Sequence, residues 1–149
     1  MNEKDQNLEH WKIAVRIATR KPISKKELLK ELKEKGINGE SAKNLLTQLV
    51  DSGIYSEIQS VNNIIIYYKD KGKGRFWILQ ELLKRGFQNN FINDQLKILY
   101  SLDEEEEALF SLYNKYMTEE NDSAKRRFLS AVERNGFDLN AAYKLLKEE

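Results

Sequence analysis

Cysteine is absent from the 149-residue sequence, so a disulfide framework and a thiolate zinc site are both excluded. There is one proline, Pro22, and one histidine, His10, so any histidine-containing triad or metal cluster would depend on a single imidazole. The apolar runs are too short to span a membrane, and the polar N-terminus lacks the apolar segment of a secretory signal. These absences predict a soluble, cytoplasmic protein.

Candidate catalytic or metal-binding groups are few. His10 falls in the first turns of a predicted helix, close to a mobile terminus, which is a poor place for a catalytic group. The acidic run 103–107 has five consecutive carboxylates, but side chains on successive helical residues fan around the axis and do not converge on one cation. A solvated helix start explains that run better. We therefore expect a protein that is not an enzyme, with no catalytic residue, no cofactor and no metal site.

Charged residues make up 33% of the chain and apolar residues 40%, a mixture typical of amphipathic helices with solvated outer faces. The net charge is only +1, but the charges are unevenly placed. Residues 12–35 carry nine Lys or Arg against three Glu, whereas residues 103–122 carry eight Asp or Glu against one Lys. The basic segment could meet phosphates or an acidic partner.

The stretch from Gly74 to Phe87 organises the chain, because weaker copies of it occur once before and once after. Its apolar residues follow helical spacing, and Gly86 then offers a residue able to take a positive φ before an apolar anchor. The pairs Gly36-Ile37, Gly86-Phe87 and Gly136-Phe137 lie 50 residues apart. Apolar positions around the glycine recur in the same register: Leu28, Ile78 and Phe128; Leu29, Leu79 and Leu129; Leu32, Leu82 and Val132; Ala42, Ile92 and Ala142; Leu46, Leu96 and Leu146.

This register predicts an internal repeat of three helices per unit. A first helix stops before Pro22, Ser24 with Glu27 forms a capping box for a second, and Asn38 is placed to cap a third. In the third copy, Asp138 stands where Asn38 stood. The first helix of the middle copy contains Ile64-Ile65-Ile66, whose β-branched side chains locally favour a strand, so whether 61–68 is helix or strand is left open.

The predicted fold is all-α, with three tandem three-helix repeats forming an elongated, curved array. We predict a disordered N-terminus over residues 1–7, then repeats over 8–53, 54–102 and 103–149. The helix beginning with Phe76 and Trp77 is expected to bury at least one of these two rings.

The candidate partner-binding residues are basic. They belong to the basic N-terminal segment, to the glycine-containing link before the organising helix, and to the end of that helix, where they could contact an acidic partner or phosphates. The alternative is that they merely stabilise helix ends or solvate a face. The candidates are Arg20, Lys21, Lys25, Lys69, Lys71, Lys73, Arg75, Lys84 and Arg85.

The middle of the chain contains Asp51-Ser-Gly-Ile-Tyr55, a Lys-Gly-Lys-Gly link and Gly74 leading to Arg85-Gly86-Phe87. These motifs resemble the central repeat of the RecX regulatory proteins. Weaker likeness extends over about Trp11 to Lys147: Arg20, Ser24 and Glu27-Leu28 match the first repeat, and Arg127-Phe128-Leu129 with Gly136-Phe137 matches the last.

The resemblance implies a bacterial cytoplasmic protein that binds the RecA recombinase filament on DNA and modulates, usually inhibits, its ATPase, filament growth and strand exchange, with the sign and strength of modulation left open. It would act in DNA repair, recombination and the SOS response, as a monomer, with direct DNA contact left open. The middle repeat departs from the family, because Trp77, Ile66, Tyr67 and Tyr68 occupy positions where basic residues are usual. Recombinase binding is affected less by this departure than DNA binding is.

Two alternatives remain at this stage. A winged-helix DNA-binding regulator would use residues 11–55 as three helices, with 42–49 as the recognition helix and 62–69 as a wing strand. That interpretation leaves the 50-residue register unexplained. An adaptor with no nucleoprotein role is the other alternative, since the basic residues alone do not discriminate against it.

Overall fold

The computed structural model describes residues 2–147, and within that range the chain forms nine α-helices and no strand. The predicted all-α class is therefore confirmed. The helices are α1 (Glu3–Arg20), α2 (Lys25–Glu34), α3 (Gly39–Asp51), α4 (Glu57–Asp70), α5 (Arg75–Lys84), α6 (Asn89–Leu99), α7 (Leu102–Tyr116), α8 (Asp122–Arg134) and α9 (Leu139–Lys147).

The N-terminus differs from the prediction of disorder over residues 1–7. Helix α1 begins at Glu3, because the Asn2 side chain accepts a hydrogen bond from the Asp5 amide and caps the first turn. Glu3 and Asp5 place negative charge at that end of the helix, where the macrodipole favours it. Residues 3–7 therefore lie within α1, although their side chains are exposed. Met1 lies outside the described residues.

Each of the three copies has the predicted order of elements: a helix, then a glycine, then an apolar anchor residue. Gly36, Gly86 and Gly136 have φ values of 83°, 99° and 76°, which end α2, α5 and α8 in the left-handed conformation that glycine tolerates. After the first and last of these glycines, the amides of Ile37 and Phe137 bond back into the helix at 2.9 and 3.0 Å. The anchors Ile37, Phe87 and Phe137 are all buried.

Burial follows the same 50-residue register as the sequence. The three residues at the first register position, Leu28, Ile78 and Phe128, are fully buried, although their side chains differ in size and shape. The helices keep the register as well, since α3, α6 and α9 begin 50 residues apart. Three more sets of corresponding positions are buried in each copy: Leu32, Leu82 and Val132; Ala42, Ile92 and Ala142; Ile37, Phe87 and Phe137.

The open question of residues 61–68 is resolved as helix. They lie inside α4, where Val61, Ile64 and Ile65 are buried at helical spacing and Ile66 points outward. The burial of one face outweighs the modest helix penalty of β-branched side chains. The winged-helix alternative required a strand at 62–69, so its wing is absent from this structure.

The helices pack into two compact units. The first comprises Met1–Ile64 with Leu83–Gln88, and its core gathers buried side chains of α1, α2 and α3 around Leu28, Leu32 and Leu49. The second comprises Ile65–Leu82 with Asn89–Glu149, and a core in it gathers Phe128 and side chains from α7, α8 and α9. The elongated, curved array of three repeats stays a prediction.

The start of α2 makes a set of polar contacts inside the first unit. The Ser24 hydroxyl donates to the carbonyl of Arg85 at 2.6 Å, and the amide of Lys25 donates to the Glu57 carboxylate at 3.4 Å. The Tyr55 hydroxyl donates to the carbonyl of Ile23 at 2.8 Å, and burial raises the pKa of this phenol. We call this set of contacts the first helix-start junction.

The second unit contains the same junction at the start of α5. The amide of Gly74 donates to the carbonyl of Asn135 at 2.7 Å, and the amide of Arg75 donates to Glu105 at 2.6 Å. The Tyr100 hydroxyl donates to the carbonyl of Lys73 at 2.8 Å, with burial again raising the pKa of the phenol. The repeated sequence therefore produces repeated tertiary contacts.

Helix caps show where the sequence signals succeed and where they do not. Both halves of the predicted capping box of Ser24 and Glu27 are present, and the Asp138 carboxylate accepts from the Asn140 amide at 2.9 Å. Asn38 lies at the N-cap of α3, but its side chain makes no capping hydrogen bond. A second capping box, Ser101 with Glu104, begins α7 at Leu102, so the predicted repeat boundary between 102 and 103 falls inside that helix.

The two predicted caps should therefore respond differently to alanine. We expect Ser24→Ala to lower the free energy of unfolding by about 2 kcal/mol, because it removes both a capping bond and the bond to Arg85. Asn38→Ala should cost no more than about 0.5 kcal/mol, since no capping bond is lost. Urea unfolding followed by circular dichroism measures both, and equal costs would contradict the difference in capping.

Candidate partner-binding surfaces

Three of the predicted cations, Arg20, Lys21 and Lys25, lie near the end of α1 and the start of α2. The Arg20 guanidinium donates to both oxygens of Glu31 at 3.1 Å, and Lys21 Nζ lies 3.8 Å from the same carboxylate. Lys25 is exposed in the first turn of α2. Arg20 and Lys21 are half exposed, so both can still reach a partner, but their charge is partly neutralised.

Lys69 and Lys71 have different surroundings although they are two residues apart. Lys69 is largely covered, donates to the carbonyl of Leu99 at 3.0 Å and forms an ion pair with Glu104. That lysine lowers the pKa of the Glu104 carboxyl by hydrogen bonding to it. Lys71 is exposed, with its ammonium 5.4 Å from the centre of the Tyr67 ring. Lys69 therefore stabilises the second unit, and Lys71 remains accessible.

Lys73 and Arg75 belong to the second helix-start junction. The Lys73 ammonium donates to Asn135 Oδ1 at 2.9 Å and lies 4.8 Å from the centre of the Trp77 ring. The backbone amide of Arg75 bonds to Glu105, while its guanidinium Nε is buried without a hydrogen-bond partner among residues 2–147. Both residues contribute to packing, so replacing them would disturb the fold as well as any interface.

The last two predicted cations end α5. Lys84 is exposed in the final turn, and Arg85 is half-buried with its carbonyl accepting from Ser24. Of the nine candidates, Lys25, Lys71 and Lys84 are thus exposed and make no side-chain ion pair within the described residues. Whether any of the nine contacts a partner stays a prediction.

A basic cluster on α8 was missed by the sequence reasoning. Arg126, Arg127 and Arg134 line an open groove of about 470 Å³ together with Ser130 and Tyr116. Arg134 donates to the Tyr116 hydroxyl at 3.4 Å and Arg127 donates to Ser123 at 3.2 Å, but none of the three arginines pairs with a carboxylate in residues 2–147. The spacing of residues 126, 130 and 134 along one helical face was the signal available in the sequence.

The two aromatic rings at the start of α5 differ in burial. Trp77 is partly covered, with its backbone against Gly136 and its ring 4.6 Å from that of Tyr68. Phe76 is 62% exposed. At least one of the two rings was expected to lie in the core. Trp77 is partly buried and Phe76 is exposed, so the expectation is met only in part.

Residues 2–147 contain no group of three or more His, Cys, Asp or Glu side chains that could hold a metal ion. His10 is half-buried in α1. None of the helices in that range has both the length and the apolarity needed to cross a bilayer.

The helices of residues 2–147 and the two helix-start junctions define an all-α protein. A search of solved structures finds the crystal structure of RecX from Lactobacillus salivarius with a TM-score of 0.80 and 18% sequence identity, covering 97% of each chain. The chain therefore has a RecX-like fold. No family model matches the sequence, and no curated protein matches it.

Proposed function

We propose that the protein is a regulator that binds the filament of a RecA-type recombinase on DNA and inhibits its ATPase, filament growth and strand exchange. The observation that carries this proposal is the RecX-like fold over 97% of the chain, together with the central Lys-Gly-Lys-Gly link and the glycine-anchored repeat in the sequence. The protein would act as a monomer in the cytoplasm, in DNA repair, recombination and the SOS response.

The proposed mechanism is occupation of the filament surface. A chain that bridges neighbouring recombinase subunits would hinder the subunit movements needed for nucleotide turnover and would block addition of further subunits. This role needs no catalytic group of its own. The contacts would include the exposed cations of the predicted set, Lys25, Lys71 and Lys84, and the arginine cluster Arg126, Arg127 and Arg134.

Protein contact is favoured over DNA contact in the middle of the chain. Ile66 and Tyr67 are exposed on α4 at positions where the resembled family is usually basic, so phosphate contact is weakened there. The arginine cluster on α8 is the better candidate for a contact with DNA phosphates, because arginine forks and nearby hydroxyl groups are the donors that phosphates accept.

The test is DNA-dependent ATP hydrolysis by the recombinase of the same organism, titrated with this protein at two salt concentrations. We expect inhibition well below one molecule per recombinase subunit. We further expect Arg126→Ala/Arg127→Ala/Arg134→Ala to raise the half-inhibiting concentration about tenfold, as three exposed charge contacts of roughly 0.5 kcal/mol each would do.

The matched control is Lys4→Ala/Lys43→Ala/Lys97→Ala, which removes the same charge from exposed positions on α1, α3 and α6, outside the basic segment 12–35. This control should inhibit like the unmodified protein. Absence of any effect on ATP hydrolysis or strand exchange would refute the proposed function. Equal weakening by both triple variants would show a response to net charge rather than a contact by the arginine cluster.

A further inference from the structure

The second unit carries an open groove of about 620 Å³ beside the second helix-start junction. The start of α5 and the turn between α8 and α9 form its sides, and α6 and α7 contribute to it. Its apolar lining residues are Phe76, Leu79, Leu96, Phe137 and Leu139, and its polar ones are Arg75, Asn93, Glu105, Glu133 and Asp138. A groove of this size has room for one or two large side chains.

Two large apolar side chains of the groove remain in contact with solvent. Phe76 is 62% exposed and Leu139 is 37% exposed, while Leu79 is half-buried and Phe137 is buried beneath them. Single exposed apolar residues are common on protein surfaces, but two that line one concave site together with a buried apolar floor are characteristic of binding sites.

The repeat offers an internal comparison. The residues 50 positions before Phe76 and Leu139 are Lys26 and Asn89, so both corresponding positions of the repeat are polar. The acidic residues differ in the same way, because Glu133 and Asp138 correspond to Leu83 and Gln88. Buried core positions stay apolar in every copy of the repeat. The four groove residues, by contrast, differ in polarity or charge from the residues 50 positions earlier. The apolar and acidic character of this groove is therefore not a consequence of the repeat.

The charge of the groove indicates the chemistry of its partner. It has three carboxylates, Glu105, Glu133 and Asp138, against the single guanidinium of Arg75. Glu105 and Asp138 accept backbone hydrogen bonds from Arg75 and Asn140, but Glu133 is exposed and makes no ion pair within residues 2–147. An apolar floor with an acidic rim complements an apolar side chain flanked by positive charges.

We propose that this groove docks a segment of a partner protein in which one or two large apolar side chains are flanked by Lys or Arg. The apolar side chains contact Phe76 and Leu139, and the flanking cations pair with Glu133 and Asp138. A buried anchor surrounded by polar contacts is the usual arrangement of a small protein interface. The inference goes beyond the proposed function, since it requires neither a recombinase nor DNA.

The experiment uses fluorescein-labelled peptides and the full chain. The probe peptide has a central Leu-Phe pair flanked by three lysines on each side; one control peptide replaces the pair by Ser-Ser and another replaces the lysines by Glu. We expect fluorescence anisotropy to show at least tenfold tighter binding of the probe than of either control. The variant Phe76→Lys/Leu139→Asn, which introduces the residues found 50 positions earlier, should bind the probe at least tenfold more weakly, and Glu133→Gln about threefold more weakly.

The matched variant is Phe110→Lys/Ile98→Asn, which makes the same chemical changes at apolar residues of the second unit that are 51% and 73% exposed. It should bind the probe like the unmodified protein. Equal loss in both double variants would overturn the proposal, and so would equal binding of the acidic peptide. A dimer in sedimentation that Phe76→Lys/Leu139→Asn converts to monomer would also overturn it, because a second copy would then be the occupant.

A second measurement does not depend on the folding of the double variant. Because the sequence has no cysteine, Asn93→Cys in the groove and Ile98→Cys outside it each provide one labelling site for an environment-sensitive fluorophore. The probe peptide should shift the emission of the label at 93 to shorter wavelength and leave the label at 98 unchanged. An unchanged emission at 93 overturns the proposal. The assay contains no recombinase and no DNA, so its failure leaves the proposed function standing.

Discussion

Gly136→Ala is expected to be among the most destabilising single changes in the chain, lowering the free energy of unfolding by about 4 kcal/mol. Gly136 has a φ of 76°, which costs a residue with a Cβ about 1–2 kcal/mol. A Cβ there would also overlap the backbone nitrogen and Cα of Trp77, and overpacking against backbone adds about 1–3 kcal/mol. Guanidinium unfolding monitored by circular dichroism measures the change.

The same substitution at the two equivalent glycines separates these causes. Gly36 has a similar φ of 83° with nothing within 4 Å of the added atom, so Gly36→Ala should cost only the conformational part, about 1–2 kcal/mol. At Gly86 the added atom meets the flexible side chain of Lys26, and the cost should be intermediate. Equal costs at all three glycines would show that the close approach of Trp77 to Gly136 does not contribute to stability.

Phe128→Ala is expected to cost about 3–5 kcal/mol, which is the usual range for deleting a buried aromatic ring. Phe128 is 0% exposed, belongs to the core of α7, α8 and α9, and meets the ring of Tyr113 edge to face at 5.5 Å. Since small proteins are stable by about 5–15 kcal/mol, this variant should be partly unfolded at moderate denaturant concentration.

Phe110→Ala is the control for this change, because Phe110 stacks on the same Tyr113 ring at 6.1 Å but is 51% exposed. It removes a ring of the same size and one aromatic contact without leaving a core cavity. We expect a cost of about 1 kcal/mol or less, consistent with an exposed aromatic pair. Similar costs for Phe110→Ala and Phe128→Ala would mean that the packing of α8 is not what stabilises the second unit.

Much of the helical structure could be predicted from local residues. Helical periodicity with a glycine stop located α2, α5 and α8, whereas α4 was left open, because the 50-residue register favoured a helix and Ile64, Ile65 and Ile66 favoured a strand. Helix-capping hydrogen bonds were predicted less well, because a polar side chain at a helix start can bond to several alternative partners. Asn38 makes no capping bond, Asn2 makes one that was not expected, and the capping box at Ser101 was overlooked.

The candidate binding residues could be selected from the sequence only as a set of charges. Lys69 is neutralised by Glu104 and Arg20 by Glu31, and both carboxylates lie more than ten residues away in the chain. Lys73 is held by Asn135, 62 residues away. Charge alone does not distinguish a cation used in packing from one left for a partner, because that depends on which acidic group folding brings near.

The sequence by itself determined the helices, the glycine stops and the positions of the buried residues, because these depend on side-chain periodicity and on φ preferences that act within a few residues. Only the tertiary structure decided which residues are available for binding. It paired Lys69 with Glu104 and Arg20 with Glu31. It left Arg126, Arg127 and Arg134 without carboxylate partners in the described range. It also placed Phe76 and Leu139 in one groove. Exposure and pairing are properties of contacts between segments distant in the chain, and no local pattern encodes them.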